Sequence, residues 1–477
     1  MLPVLALEIA AAALFFTHWA LGSDMSGFAA VGILMGAITH APFLSTRIPV
    51  WSMWGMASFT VTIGAELRGV LMLAGYPSEA FVESFFLGGK TFSDLSGPSF
   101  VALGTILALT LGFALVANRS APAIKSHGPA SPNALQSSLA SEPFVVVVAA
   151  SYLMVGAVCT YLYTRGVGGI AGSIGERRGA VNADGTTTGT FGYYEFLAGA
   201  SAVGAMLLLI YWLSAREHLG PGRIFVVAVA FTSAFGINWV TTTRADLVYV
   251  SAAALAAIVI IRKHVPWITA LLVGTIVLGA IGGLTAARAA DDVTRENFSV
   301  SYGIDSGILN RNAYDLGKTL RVIDAVPEVL PYENGGTITR FALAPIPRSF
   351  WPEKPIITPG PIVGARLYGT TRSGVPPGLS GELVWNFGRL LAVAFAFLFG
   401  LLLGGIEKRW YPRNTQDLTG ILIYLTVFFT FGKDLLGVSV GNAVFGVFGD
   451  FLLLVPLLVL VRLRPGPRRD RYSPVTM

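Results

Sequence analysis

Apolar runs of roughly 17 to 25 residues recur along the whole chain, each long enough to cross a hydrocarbon core of about 30 Å as a helix. They read as Leu2–Leu21, Gly27–Leu44, Val50–Leu73, Phe100–Val116, Val145–Tyr163, Tyr194–Leu213, Ile224–Val240, Leu247–Ile261, Trp267–Thr285, Leu383–Gly405, Leu418–Phe431 and Ala443–Val461. About twelve spans are therefore expected, a few of them shorter than the usual spanning length. The first run carries Glu8 and has no Lys or Arg before it, so it lacks the basic region of a cleaved signal peptide and is read as a span. The expected fold is an all-α polytopic membrane protein, with a long extracytoplasmic loop containing short amphipathic helices.

Composition supports this class. With 53% hydrophobic and 13% charged residues and a mean hydropathy of +0.66, so much apolar surface could not face water. Lys and Arg in short connections set the orientation, because positive charge resists translocation. The tail Arg462–Arg471, the turn Glu407-Lys408-Arg409, the triplet Arg262-Lys263-His264 and the link from Arg216 to Arg223 are thus expected on the cytoplasmic side. Both termini then lie inside. Gly75–Ser96, Gly166–Gly192 and the long segment Arg288–Ser380 lie outside. The net charge of +6 needs no nucleic-acid partner, since these basic residues adjoin spans and suit anionic lipid headgroups. The lone Cys159 falls within a span, which rules out an intrachain disulfide or multi-cysteine metal site.

The chain divides accordingly into residues 1–287 with nine spans and a flexible cytoplasmic linker over 118–143, the loop 288–380, three further spans over 381–462, and a basic tail over 463–477. Ser120–Pro143 is rich in Ser, Ala and Pro and cannot bury a core. No internal repeat marks duplicated transporter halves. In the long loop, Ile308, Leu309, Leu316, Leu320 and Ile323 recur at helical spacing with charges between them, predicting one or two amphipathic helices on the outer face. The Pro- and Gly-rich remainder carries Phe350, Trp351, Leu367 and Tyr368, enough apolar surface to pack on the bundle as an ordered loop. Its bland alternative is a proline-stiffened plug.

Charge then singles out Arg340 to Gly388, where Arg340, Arg348, Lys354, Arg366 and Arg372 face only Glu353 and Glu382. Arg suits phosphate, because its planar fork donates two parallel hydrogen bonds and stays protonated. Arg244, in a short outer connection, joins this set as a cation at membrane level, with an ion pair to Asp246 as its structural alternative. Lys433 can add to the same pocket, or be solvated with Asp434. Glu66 and Arg68 stand two apart on one helix, so each requires a partner elsewhere. Glu382 opens a span, where a carboxylate can accept the proton of an attacking hydroxyl or simply favour a helix N-terminus. All five histidines (His18, His40, His127, His218 and His264) fall in spans or cytoplasmic links, leaving neither large outer loop a histidine base or His-based zinc site. Gly89-Lys90-Thr91 is like the end of a phosphate loop, but Ser84 stands where the leading Gly belongs.

The order of Arg244 at a span's outer end, a long loop, PIPRSFWPEKP, a Gly/Pro run and GELVWNFG opening the next span resembles the O-antigen polymerases, the Wzy-type oligosaccharide repeat-unit polymerases. The motif-level similarity covers Arg244 to Leu403. It implies a GT-C-type membrane glycosyltransferase with no cofactor and no metal, acting on undecaprenyl-pyrophosphate-linked oligosaccharides at the outer face of the inner membrane. On that resemblance Arg348, Lys354 and Arg366 hold the donor pyrophosphate with Arg244 assisting, Arg340 and Arg372 are lesser candidates, and Glu382 activates the acceptor hydroxyl. A chain-length regulator protein is implied as a partner. The alternatives are an O-antigen ligase-like transferase, which a loop histidine would favour, and a flippase-type transporter, which the long loop disfavours.

Overall fold

The computed structural model describes residues 25–45, 48–73, 89–117, 142–166, 192–215, 219–240, 244–289, 314–346, 350–351, 353–369, 374–412 and 417–462, with Ile9, Ala11 and Gly169. Among these, every regular element is helical. In order they are α1 (Met25–Ser45), α2 (Met53–Leu73), α3 (Ser96–Ala117), α4 (Glu142–Gly166), α5 (Tyr193–Ala215), α6 (Pro221–Val240), α7 (Arg244–Arg262) and α8 (Trp267–Ala289). The helices α9 (Leu316–Ala325) and α10 (Pro359–Tyr368) come next, then α11 (Gly378–Trp410), α12 (Leu418–Gly437) and α13 (Val440–Arg462).

The protein is membrane-embedded. Eight helices, α1 to α5 and α11 to α13, are long and apolar enough to cross a bilayer, while α6, α7 and α8 are apolar over the shorter stretches Pro221–Ile237, Leu247–Arg262 and Trp267–Ala280. Length and composition thus support eight of the twelve expected crossings among the described residues. The expected span Leu2–Leu21 lies outside those residues except for Ile9 and Ala11, as do 118–141 of the linker, 170–191, 290–313 and the tail 463–477. Hydrophobic side chains such as Ile268 and Leu271 of α8 and Leu390 of α11 point outward, as a lipid-facing surface requires.

The backbone of the bundle is the crossing of α3 with α11, its most extensive helix pair. Glycines make it close: a Cβ on Gly112 would collide with the carbonyl oxygen of Phe397, and one on Gly400 with that of Leu109. Small residues let membrane helices approach in this way, since no hydrophobic force between helices operates in lipid. Both α2 and α12 carry an internal π-helical turn, at Thr62–Leu67 and Tyr424–Phe428. Such turns shift the register of side chains on either side.

The two ends of α11 are tied to the starts of other helices by buried carboxylates. Near its C-terminal end, Glu407 accepts from the Tyr424 hydroxyl at 2.9 and 3.1 Å, the Tyr424 oxygen accepts in turn from the Met53 amide at 2.7 Å, and the Trp54 amide that follows also faces the carboxylate at the start of α2. Near its N-terminal end, Glu382 accepts from the amides of Val440 and Gly441 that open α13. Each carboxylate meets the positive end of a helix and satisfies amides that have no partner within their own helix.

Helix α9 differs from expectation. Rather than lying on an outer face, it is inserted against α3 and α11 with Leu316, Leu320, Val322 and Ile323 buried. Its polar side is buried as well, because Lys318 and the N-capping Asp315 form an ion-paired cluster with Arg68 of α2. Close approach at Gly64, where a Cβ would strike the backbone of Tyr314, brings α2 this near.

Candidate functional site

The motif GELVWNFG is a clamp built on the first turns of α11. Gly388 breaks that helix with φ 78° and ψ 169°, a conformation essentially restricted to glycine. The break exposes backbone and side-chain groups that hold the segment 331–340. Trp385 Nε1 donates to the Pro331 carbonyl at 2.9 Å, and the Glu333 amide donates to the Trp385 carbonyl at 3.1 Å. Asn334 and Gly335 adopt left-handed φ values of 48° and 87°, turning the chain so that Thr337 reaches α11.

There the Thr337 hydroxyl donates to Glu382 Oε1 at 2.8 Å. Asn386, one helical turn beyond Glu382 and on the same face, donates through Nδ2 to the Thr337 oxygen at 2.6 Å and to the Glu382 carbonyl at 2.8 Å. Because Nδ2 meets a carbonyl oxygen, which can only accept, the amide orientation is fixed. Glu382 Oε2 accepts from the Val440 amide at 2.5 Å, and the Gly441 amide is a further donor. Glu382, Thr337 and Asn386 are all buried, Glu382 completely so. Asn386 Oδ1 is buried and has no hydrogen-bond partner among the described residues. Chemically, the cluster is a carboxylate and an amide that together hold one hydroxyl.

Of the expected cations, Arg340, Lys354 and Arg366 fall among the described residues with their side chains. Arg340, three residues beyond Thr337, is paired with Glu333. Lys354 is buried and turned inward, donating to the carbonyls of Ala344 at 3.2 Å and Ile346 at 2.7 Å, so it is tied back to the turn that follows Leu343. Arg366 lies exposed in the last turn of α10. Arg244 opens α7, but its side chain is outside the described residues, as are Arg348 and Arg372 altogether. Lys433 stands 5.0 Å from the centre of the Tyr249 ring and 3.9 Å from Asp434.

The same end of the bundle gathers further charge. Arg68 lies 3.5 Å from Asp315, and Lys318 lies 2.9 Å from it. Burial alone would raise the Asp315 carboxyl, but Lys318 and Arg68 outweigh that effect and hold it below the ordinary carboxylate value. Glu66 lies 3.9 Å from His40, whose other ring nitrogen meets the Thr62 hydroxyl at 2.8 Å. Lys90, of the phosphate-loop-like tripeptide, is paired with Asp324 of α9. An apolar crevice lined by Phe144, Val148, Leu207, Ile210 and Leu422 sits near Leu457, at the far end of α13 from Glu382.

Thr337 and Asn386 were not among the residues singled out by sequence reasoning. Asn386 carries a usable signal: it stands at i+4 from Glu382 on a helix, which places both on one face. Thr337 carries none, because only the left-handed turn at Asn334-Gly335 brings it to α11. No family model, curated protein or solved structure matches the chain.

Proposed function

We propose that the protein is a membrane-embedded glycosyltransferase that polymerises undecaprenyl-pyrophosphate-linked oligosaccharide repeat units at the outer face of the cytoplasmic membrane. The observation that carries this reading is a buried carboxylate, at the end of a broken membrane helix, that already accepts a hydrogen bond from a hydroxyl. A carboxylate so placed is suited to take the proton of an acceptor-sugar hydroxyl. The hydroxyl oxygen then bonds to the donor's anomeric carbon as the bond from that carbon to the pyrophosphate oxygen breaks, and the pyrophosphate leaves with the electron pair. Negative charge develops on the departing group, and fixed cations stabilise it. Arg244, Arg348, Arg366 and Arg372 are assigned to that task, with Arg340 and Lys354 shaping the loop that carries Arg348.

Support for the donor class comes from the cation-rich stretch Arg340 to Arg372, joined to a membrane protein at the ends of α11 and α13. The reading takes no metal and no cofactor, both termini cytoplasmic, and a chain-length regulator as partner. The test is reconstitution. Purified protein in lipid vesicles, supplied with undecaprenyl-pyrophosphate-linked repeat units extracted from cells lacking it, is expected to give a ladder of longer lipid-linked glycans. Repeat units recovered unchanged, while the protein remains folded, would overturn the proposal.

A further inference from the structure

We infer that Thr337 is an internal placeholder for the acceptor hydroxyl: its side chain occupies a hydroxyl-binding site formed by Glu382 and Asn386, and the segment 331–340 must lift for an acceptor sugar to enter. This deepens the proposed transferase reading and rests on it.

Three observations carry the inference. First, the Thr337 hydroxyl is held as a substrate hydroxyl would be, donating to Glu382 Oε1 at 2.8 Å while accepting from Asn386 Nδ2 at 2.6 Å. The two residues lie on one face of α11, so the same pair can grip any hydroxyl brought to that point. Secondly, the site is not fully used. Asn386 Oδ1 is buried without a hydrogen-bond partner among the described residues, and a lone buried acceptor of this kind is costly unless something fills it. A sugar carries neighbouring hydroxyls, and a second one can donate to Oδ1 while the first meets Glu382. Glu382 also has room: an ionised carboxylate offers about four acceptor positions, and Thr337, Val440 and Gly441 take three.

Thirdly, the covering segment is built to move as a unit. It is fastened by two hydrogen bonds to Trp385, from Glu333 and to Pro331, and by the Thr337 hydroxyl itself. Within it the chain turns through left-handed Asn334 and Gly335, which present Thr337 to α11. Arg340 travels with the segment through its pair to Glu333. With the segment closed, Glu382 is fully buried, so an acceptor sugar can reach it only once the Thr337 contact is broken.

The test uses the full chain in vesicles and extracted lipid-linked repeat units as the probe. Thr337→Val keeps the branched shape and removes the competing hydroxyl, so KM for the repeat unit is expected to fall roughly threefold to tenfold, as loss of one competing charge-assisted hydrogen bond allows. Thr337→Ser retains the hydroxyl and is expected to keep the wild-type KM. Asn386→Leu is expected to raise KM and lower kcat together. A KM in Thr337→Val that is unchanged or raised, alongside a normal wild-type ladder, overturns the placeholder and leaves the transferase reading standing.

A second measurement does not depend on turnover. In Thr337→Cys on a Cys159→Ser background, a membrane-impermeant maleimide is expected to label the new thiol several-fold faster when the repeat unit is present, because its hydroxyls displace the segment. Equal labelling with and without the repeat unit overturns the inference, even if the wild-type protein elongates no chain.

Discussion

Replacing Asp315 by Asn removes the negative charge from a buried cluster while keeping its shape. The Asp315 carboxylate caps α9 by accepting from the Lys318 amide at 3.2 Å, pairs with the Lys318 ammonium at 2.9 Å and lies 3.5 Å from the Arg68 guanidinium. Arg68 and Lys318 are 1% and 2% exposed, so water cannot take over when the carboxylate is lost. Removing one partner of a buried ion pair costs about 3–5 kcal/mol, chiefly through the charge left behind. Asn is as good an N-cap as Asp, so the capping bond survives in Asp315→Asn and about 3 kcal/mol is the expected loss. Asp315→Ala forfeits the cap too and is expected to lose about 1 kcal/mol more.

The assay is reversible unfolding in bicelles with increasing SDS, monitored by tryptophan fluorescence. The sign with pH comes from the carboxyl being held below its ordinary value by Lys318 and Arg68, against burial. Its contribution is present above the unfolded-state value of about 3.9 and is lost as pH falls through the lower folded-state value. Wild-type protein should therefore lose stability on acidification through this range, and Asp315→Asn should lack that component. Exchanging Asp315 for Asn while also changing Arg68 and Lys318 to Met should recover part of the loss, because no unpaired charge then remains. An Asp315→Asn protein within about 0.5 kcal/mol of wild type, the range of ordinary surface changes, would refute the reasoning.

Three other substitutions probe the elements around the site. Gly388→Ala places a side chain at φ 78° and ψ 169° and is expected to cost about 1–3 kcal/mol in the same unfolding assay, with hydrogen exchange rising over 331–340. Lys354→Met removes the two bonds to the carbonyls of Ala344 and Ile346; exchange over 344–354 is expected to rise and chain elongation to fall at least tenfold, while the bundle's unfolding midpoint stays near wild type. Gly400→Val forces α3 and α11 apart at Leu109 and is expected to lower stability by about 1–3 kcal/mol or more, read as loss of folded protein on size-exclusion chromatography.

The helices were legible in the sequence because run length is a direct physical requirement of a bilayer. The runs Phe100–Val116 and Leu383–Gly405 sit inside α3 and α11, which extend beyond them to Ser96 and Trp410. Less of the site was legible. Glu66 and Arg68 announced that each required a separate partner, and the structure supplies His40 and Asp315, but nothing local to either residue identifies groups so distant in the chain. The same pairing explains why α9 is buried. Apolar residues at 316, 320 and 323 with charges between them fit a surface helix, and only the counter-charge brought by α2 makes burial of the opposite face tolerable. Glu382 was visible as an acid opening a span beside a cation-rich loop, whereas its donors come from the start of α13 and from a turn near residue 337. Both are consequences of tertiary packing rather than of spacing.

The most direct measurement is the size distribution and lipid linkage of surface glycans from cells lacking the protein, compared with cells carrying the wild type or Glu382→Gln. The account predicts a polymer ladder with the wild type, and a single repeat unit in place of the ladder both without the protein and with folded Glu382→Gln. Long polymers stranded on the lipid carrier, repeat units trapped on the cytoplasmic side, or a full ladder from Glu382→Gln would contradict it.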